Sequence, residues 1–196
     1  MNIFVLKTPI LILADTGIEL LDSQIKENYN TAKIEGLWKN DGPSTTYGTS
    51  MLRFIFLWEN PSDQLAAVNV WSELSVNGLL EAWGSWGLGA GAGNVTLQAY
   101  ATLRMWNWWE DPQTSFFSPP QYTPYVQAHG GFWGGSDLES ESVEGPYQST
   151  YDFFWIPKNA STVIEMDLAF KYAVYEGYAK ADFSTVCPAL TLQVLT

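Results

Sequence analysis

Cysteine and histidine are almost missing from this chain: its 196 residues include one of each. A lone Cys187 excludes an intramolecular disulfide framework, and its neighbours Val186, Pro188 and Leu190 mark it as a packed, inert thiol. A lone His129 excludes any chemistry built on two histidines and any His-rich metal site. Basic residues are scarce too. Nine Lys and Arg stand against 21 Asp and Glu, a formal net charge of −12. Such a surface repels phosphate backbones and anionic lipids, which argues against nucleic-acid and membrane-surface partners.

Other absences narrow the function further. No apolar run approaches the roughly 18 residues of a membrane helix, so a soluble protein without membrane insertion is expected. Residues 1–14 superficially resemble a signal peptide, but Lys7 and Pro9 interrupt them and no basic segment leads them. They read as a strand or arm of the folded protein. The glycine-rich stretch Gly84–Gly93 lacks the Lys-Ser/Thr ending of a phosphate loop and precedes a strand, so it reads as a loop or a glycine-kinked strand. Asp137, Glu139, Glu141 and Glu144 lack EF-hand spacing and read as a solvated insertion. No cofactor and no metal are implied.

What the chain has in abundance is aromatic: ten Trp, ten Tyr and ten Phe, within an apolar fraction of 46%. Aromatic and β-branched residues suit pleated, half-buried surfaces. Period-two alternation predicts strands near 31–38, 50–59, 66–76, 79–86, 94–108, 125–133, 147–156, 162–175, 178–185 and 189–195. Residues 11–29 carry competing signals, with Ile18, Leu21 and Ile25 compatible with one short helix. Many short strands separated by turn residues predict an all-β, antiparallel β-sandwich of jelly-roll-like form.

Two hairpins are expected. Asn77-Gly78 has the composition of a type I′ turn, which would place Val76 opposite Leu79, Leu74 opposite Glu81 and Trp71 opposite Gly84. Glu176-Gly177 would likewise pair Tyr175 with Tyr178, Lys171 with Asp182 and Phe170 with Phe183. The two regions resemble each other. Gly36-Leu37-Trp38 recurs as Gly131-Phe132-Trp133, and Gly42-Pro43 as Gly145-Pro146. Phe54, Trp71, Gly78 and Ala82 recur 99 residues on as Phe153, Phe170, Gly177 and Ala181, and Thr96-Leu97-Gln98 as Thr191-Leu192-Gln193. The order of these matches suggests internal duplication with pseudo-twofold symmetry. Residues 1–30 then form an N-terminal arm or a strand or short helix, 31–109 a first repeat, 110–124 a proline-rich connector and 125–196 a second repeat, all in one domain.

The most suggestive segment for function is the strand from Asn94 to Trp109. Val95, Leu97, Ala99, Ala101, Leu103 and Met105 point one way, a core face. Thr96, Gln98, Tyr100, Thr102, Arg104, Trp106 and Trp108 point the other way. Flat rings beside Arg and Gln can cover the C–H faces of a sugar and bind its hydroxyls, and the same residue types suit a protein interface. Tyr100, Arg104, Trp106 and Trp108 are therefore the expected ligand- or partner-binding residues; intramolecular packing is the competing reading of the same face. No catalytic residue is assigned. The preferred reading is a non-catalytic recognition protein with carbohydrate as the leading ligand. The alternative is a self-assembling protein whose aromatic surfaces pair subunits, a possible homo-oligomer. A glycosidase-like enzyme comes third, since Glu59, Glu73, Glu81, Glu110 and Asp111 offer carboxylates that nothing in the sequence brings together.

Overall fold

Alternation turns into strand almost everywhere it occurs. In the computed structural model, which describes residues 2–85, 93–110, 113–131 and 135–195, thirteen strands and no helix form. They are β1 (Asn2–Leu6), β2 (Leu11–Ala14), β3 (Ile18–Gln24), β4 (Asn30–Asn40), β5 (Thr46–Glu59), β6 (Ala66–Gly84) and β7 (Asn94–Asn107). After these come β8 (Thr114–Phe117), β9 (Gln121–His129), β10 (Asp137–Ile156), β11 (Ser161–Tyr175), β12 (Gly177–Cys187) and β13 (Leu190–Leu195). Residues 11–29 hold β2 and β3 rather than a helix: Ile18 belongs to a ladder with β4, while Leu21 and Ile25 stay exposed.

All pairings are antiparallel and fall into two sheets. The first runs β1-β13-β6-β12-β4-β3, with β10 along the other edge of β6. The long β6 serves two partners in turn, β13 over Ala67–Ser72 and β12 over Ser75–Gly84. The second sheet runs β2-β5-β11-β7-β8, with β9 also on β7. Side chains from the two sheets meet in one apolar core. Trp38 of β4 lies 5.8 Å from Phe170 of β11, and Phe4 of β1 lies 5.7 Å from Trp58 of β5. The six inward residues predicted on β7, Val95 to Met105, are all fully buried.

Both expected hairpins are absent. Asn77 and Gly78 lie in the middle of β6, in extended backbone, so the two predicted strands on either side of them are one. The glycine serves a different need: it faces Phe183 of β12, and a Cβ there would lie 2.5 Å from that ring and 2.3 Å from the Asp182 carbonyl oxygen. A residue chosen for clearance mimics one chosen for a turn. Glu176, with φ of +47°, does reverse the chain, but it carries it from one sheet to the other. Lys171 is consequently paired with Gln98 and Thr49, and Asp182 with Glu35 and Leu79. Phe170 and Phe183 still touch, across the core rather than along a ladder.

Two further expectations change. The connector 110–124 contains β8, and its Ser118 is buried against β7, where the Leu103 backbone N–H donates to the hydroxyl at 2.9 Å. The acidic stretch 137–144 is the first part of β10, paired with β6, so it is no insertion, although Glu139 and Glu144 are exposed there as solvated groups. The expectation for Gly84–Gly93 falls largely outside the described residues, as does the match of Trp38 with Trp133.

Candidate functional site

Strand β7 lies between β11 and the pair β8/β9, so its outward side chains sit inside a broad sheet face rather than at an edge. Successive rows follow from the register. Arg104 sits beside Glu165, Thr102 beside Asp167, Tyr100 beside Ala169 and Gln98 beside Lys171. On the far side of β11, Arg53 stands beside Asp167 and Thr49 beside Lys171. The four residues expected from the sequence all lie on this face, but they divide into two environments.

The first environment is an ion cluster under aromatic cover. Trp106 donates its indole N–H to Glu165 Oε1 at 2.8 Å. Arg104 Cζ lies 3.9 Å from the Trp106 ring centroid and 5.1 Å from that of Phe117. Cation–π contact of this kind, partly desolvated, is worth on the order of 1–2 kcal/mol. Glu165 Oε2 stands 3.7 Å from both Arg104 Nη1 and Arg53 Nε, too far for a hydrogen bond to either. Arg53 is fixed instead by a two-point contact with Asp15, at 2.6 and 2.8 Å. Trp108, just beyond the end of β7, stacks 5.5 Å from Trp106 and remains exposed.

At the centre of this cluster lies Asp167, fully buried, with neither oxygen hydrogen-bonded. Burial pushes its pKa well above the usual carboxylate range, and the neighbouring Glu165 adds to the rise; Arg53 and Arg104 pull the other way. Desolvation dominates because no donor reaches the carboxyl group to stabilise its charge.

The second environment begins at Tyr100, whose ring lies 5.4 Å from that of Tyr122. Burial raises the Tyr100 pKa, helped by Tyr122 and Asp167 and opposed by a hydrogen bond with Thr49. Beyond it opens a groove of about 380 Å³ lined by Tyr47, Thr49, Thr96, Gln98, Tyr125 and Lys171, among others. Tyr47, Tyr125, Thr49 and Lys171 are exposed there, and Gln98 is steadied by donating to the Thr123 carbonyl oxygen at 3.1 Å.

Sequence reading identified the β7 contribution but missed what β5, β9 and β11 add. One signal was present: Glu165 and Asp167 stand two apart within the apolar run Val163–Phe170, which puts two carboxylates on one face of one strand. The carboxylates named from the sequence are not gathered. Glu59 ends β5 in one sheet, whereas Glu73 and Glu81 lie on β6 in the other. Glu110 borders a different hollow near Trp109, and Asp111 is outside the described residues. Among the described residues no group of three or more His, Cys, Asp or Glu is arranged to hold a metal ion. Among the described residues, too, no helix is long and apolar enough to cross a membrane. Comparison with protein-family models gives no match, and no curated protein is significantly similar in sequence.

Proposed function

We propose that the chain is a non-catalytic recognition protein, that the outer face of the β5–β11–β7 sheet is its binding surface, and that its ligand is a carbohydrate. The observation that carries this reading is continuity: Trp108, Trp106, Arg104 and Tyr100 run along one face into the groove lined by Tyr125, Gln98 and Thr49. Exposed rings such as Tyr125 and Trp108, beside the hydroxyl of Thr49 and the amide of Gln98, match the alternating C–H and O–H surfaces of a sugar chain. Pre-set rings also lower the ordering penalty of binding. A glycan array probed with the native chain and with Tyr125→Ala tests it. Binding to a defined glycan class, weakened by the substitution, is expected; no binding to any glycan overturns the reading.

The finer architecture belongs to the same proposal. A jelly-roll-like sandwich built from two repeats is supported by the way successive strands β4 to β7, and β9 to β12, change sheet at every connection. It is supported further by pairing order. The triplet β5–β11–β7 has a counterpart in β10–β6–β13, with Phe54 and Phe153 on β5 and β10, Trp71 and Phe170 on β6 and β11, and Leu97 and Leu192 on β7 and β13. A twofold axis exchanging the sheets would relate them. Gly78 and Gly177 do not fit, since one lies within β6 and the other opens β12. Superposition of the two triplets tests the idea; opposed strand directions would remove it.

A second reading, self-assembly, is favoured by the outer face of the other sheet. There the register sets Val5, Thr191, Trp71 and Thr150 in one row and Ile3, Gln193 and Asn69 in the next. Trp155 and Phe153 continue the surface, and Phe153 is held with φ of +59° at a bulge where its N–H donates to Asn69. Ile3, Val5, Trp71, Phe153 and Trp155 are exposed, and those rows carry no charge. Sedimentation at rising concentration tests it: Trp155→Glu should reduce any dimer formed by the native chain, and a strictly monomeric native chain rejects it.

A further inference from the structure

The chain as a whole repels anions, yet the groove does not share its sign. Lys171 lines it and is exposed, with no carboxylate within ion-pairing distance among the described residues. Its neighbours in the groove are tyrosines, threonines and Gln98, all neutral. Toward the other end of the same face, Arg53 and Arg104 are matched by Asp15 and Glu165. The lining of the groove therefore carries one charge, that of Lys171, in a chain whose formal total is −12.

Arg104 also has unused capacity. It makes no hydrogen bond, and its ion pair with Glu165 is long, at 3.7 Å. Its guanidinium carbon lies 3.9 Å from the Trp106 ring centroid and 5.1 Å from that of Phe117, which limits the positions it can take. Lys171 is level with Gln98 on β7, six residues from Arg104. At the usual strand rise, the two cations are roughly 20 Å apart along the face, a distance that several linked sugar units span and one unit does not.

We propose that this face selects an anionic glycan, an extended chain bearing carboxylate or sulfate groups, with Lys171 in the groove as the principal charge contact and Arg104 as a second contact further along. The inference rests on the carbohydrate-recognition reading and narrows it to a charged ligand. Tyr47 and Tyr125 supply ring contact beside Lys171, so charge and stacking act on adjacent parts of one ligand. The acidic remainder of the surface then limits indiscriminate capture of polyanions, because ligands unable to use the rings meet only repulsion.

Calorimetry with a homogalacturonan hexamer and its fully methyl-esterified form isolates the charge, since the backbone is the same. A sulfated hexasaccharide and an oligo-glutamate of matched charge complete the set. The free acid should bind at least about tenfold more tightly than the ester in low salt, as expected for one charge-assisted contact. The acid-to-ester ratio should fall several-fold in Lys171→Met, leaving the smaller preference due to Arg104, and be retained in Lys171→Arg. Stronger binding of the sulfated chain than of the uronate would identify the anion as sulfate and uphold the proposal. Equal binding of acid and ester overturns it while leaving carbohydrate recognition standing. Failure of every glycan overturns both, and binding of oligo-glutamate alone assigns the face to an acidic peptide instead.

Discussion

Asp167 lies directly opposite Arg53 in the β5–β11 register, yet no donor reaches either of its oxygens. Arg53 turns away to Asp15, and the carboxyl group is left buried among the neighbouring side chains. A polar group buried without a partner is destabilising, and it is less so when neutral.

The pH dependence of stability follows in sign. The folded protein holds the Asp167 proton where the unfolded chain, titrating near the ordinary value of about 3.9, has released it. The unfolded state therefore binds fewer protons over that interval, and stability contributed by this group falls as pH rises through it. Asp167→Asn removes the ionisation at nearly constant volume. Thermal melts between pH 4 and 8 should show the variant more stable at neutral pH, its advantage shrinking toward pH 4. A variant less stable at pH 7 would mean that the carboxyl group is ionised and supported by the arginines.

The two tryptophans at the end of β7 should behave differently. Trp106 is partly buried and holds Glu165, so Trp106→Ala leaves a nearly buried carboxylate oxygen without its donor. A loss of about 2–4 kcal/mol in urea denaturation is expected, from ring burial and the orphaned acceptor together. Trp108 is exposed, and Trp108→Ala should change stability by no more than about 0.5 kcal/mol. Equal losses for the two would show that Trp108 is packed as deeply as its neighbour.

Gly78→Ala distinguishes a packed glycine from a turn glycine. In a two-residue hairpin loop alanine would be tolerated at moderate cost, but here its methyl group meets the Asp182 carbonyl and the Phe183 ring. Backbone has little room to yield between β6 and β12. Overpacking of this kind should destabilise by about 1–3 kcal/mol or more, visible as a lowered midpoint in denaturation.

Cys187 should be silent to thiol reagents in the folded protein. It is fully buried, and burial pushes its pKa up to about 12, with a weak opposing contact from Ser72. The reactive thiolate is then a minute fraction at pH 8. A disulfide reagent should label one thiol per chain in guanidinium and essentially none under native conditions. Rapid native labelling would place the thiol at an accessible position.

The legible part of the fold was that which local alternation encodes. The inward face of β7 could be named residue by residue because a strand's side chains alternate whatever lies next to it. Strand identity along β4, β5, β11 and β13 followed for the same reason. Residues 11–29 misled because Ile18, Leu21 and Ile25 fit a helical stripe over a short span, while the ladder with β4 is a non-local fact. Asn77-Gly78 misled because a dipeptide that permits a turn does not require one; the decisive partner, Phe183, lies more than a hundred residues away.

The candidate site divides along the same line. Composition and periodicity by themselves determined that the chain is all-β, strongly acidic and rich in aromatic rings, and that Tyr100, Arg104 and Trp106 share one side of one strand, with Trp108 just past its end. These are properties of single residues or of neighbours a few positions apart. Tertiary structure alone decided that Glu165 and Asp167 lie on the strand between Arg53 and Arg104, and that Lys171, Thr49 and Tyr125 form a groove beside Tyr100. It also decided that Phe170 and Phe183 meet from opposite sheets. Such relations depend on which strands become neighbours, and that choice is made by the summed burial of many side chains across the whole chain rather than by any local pattern.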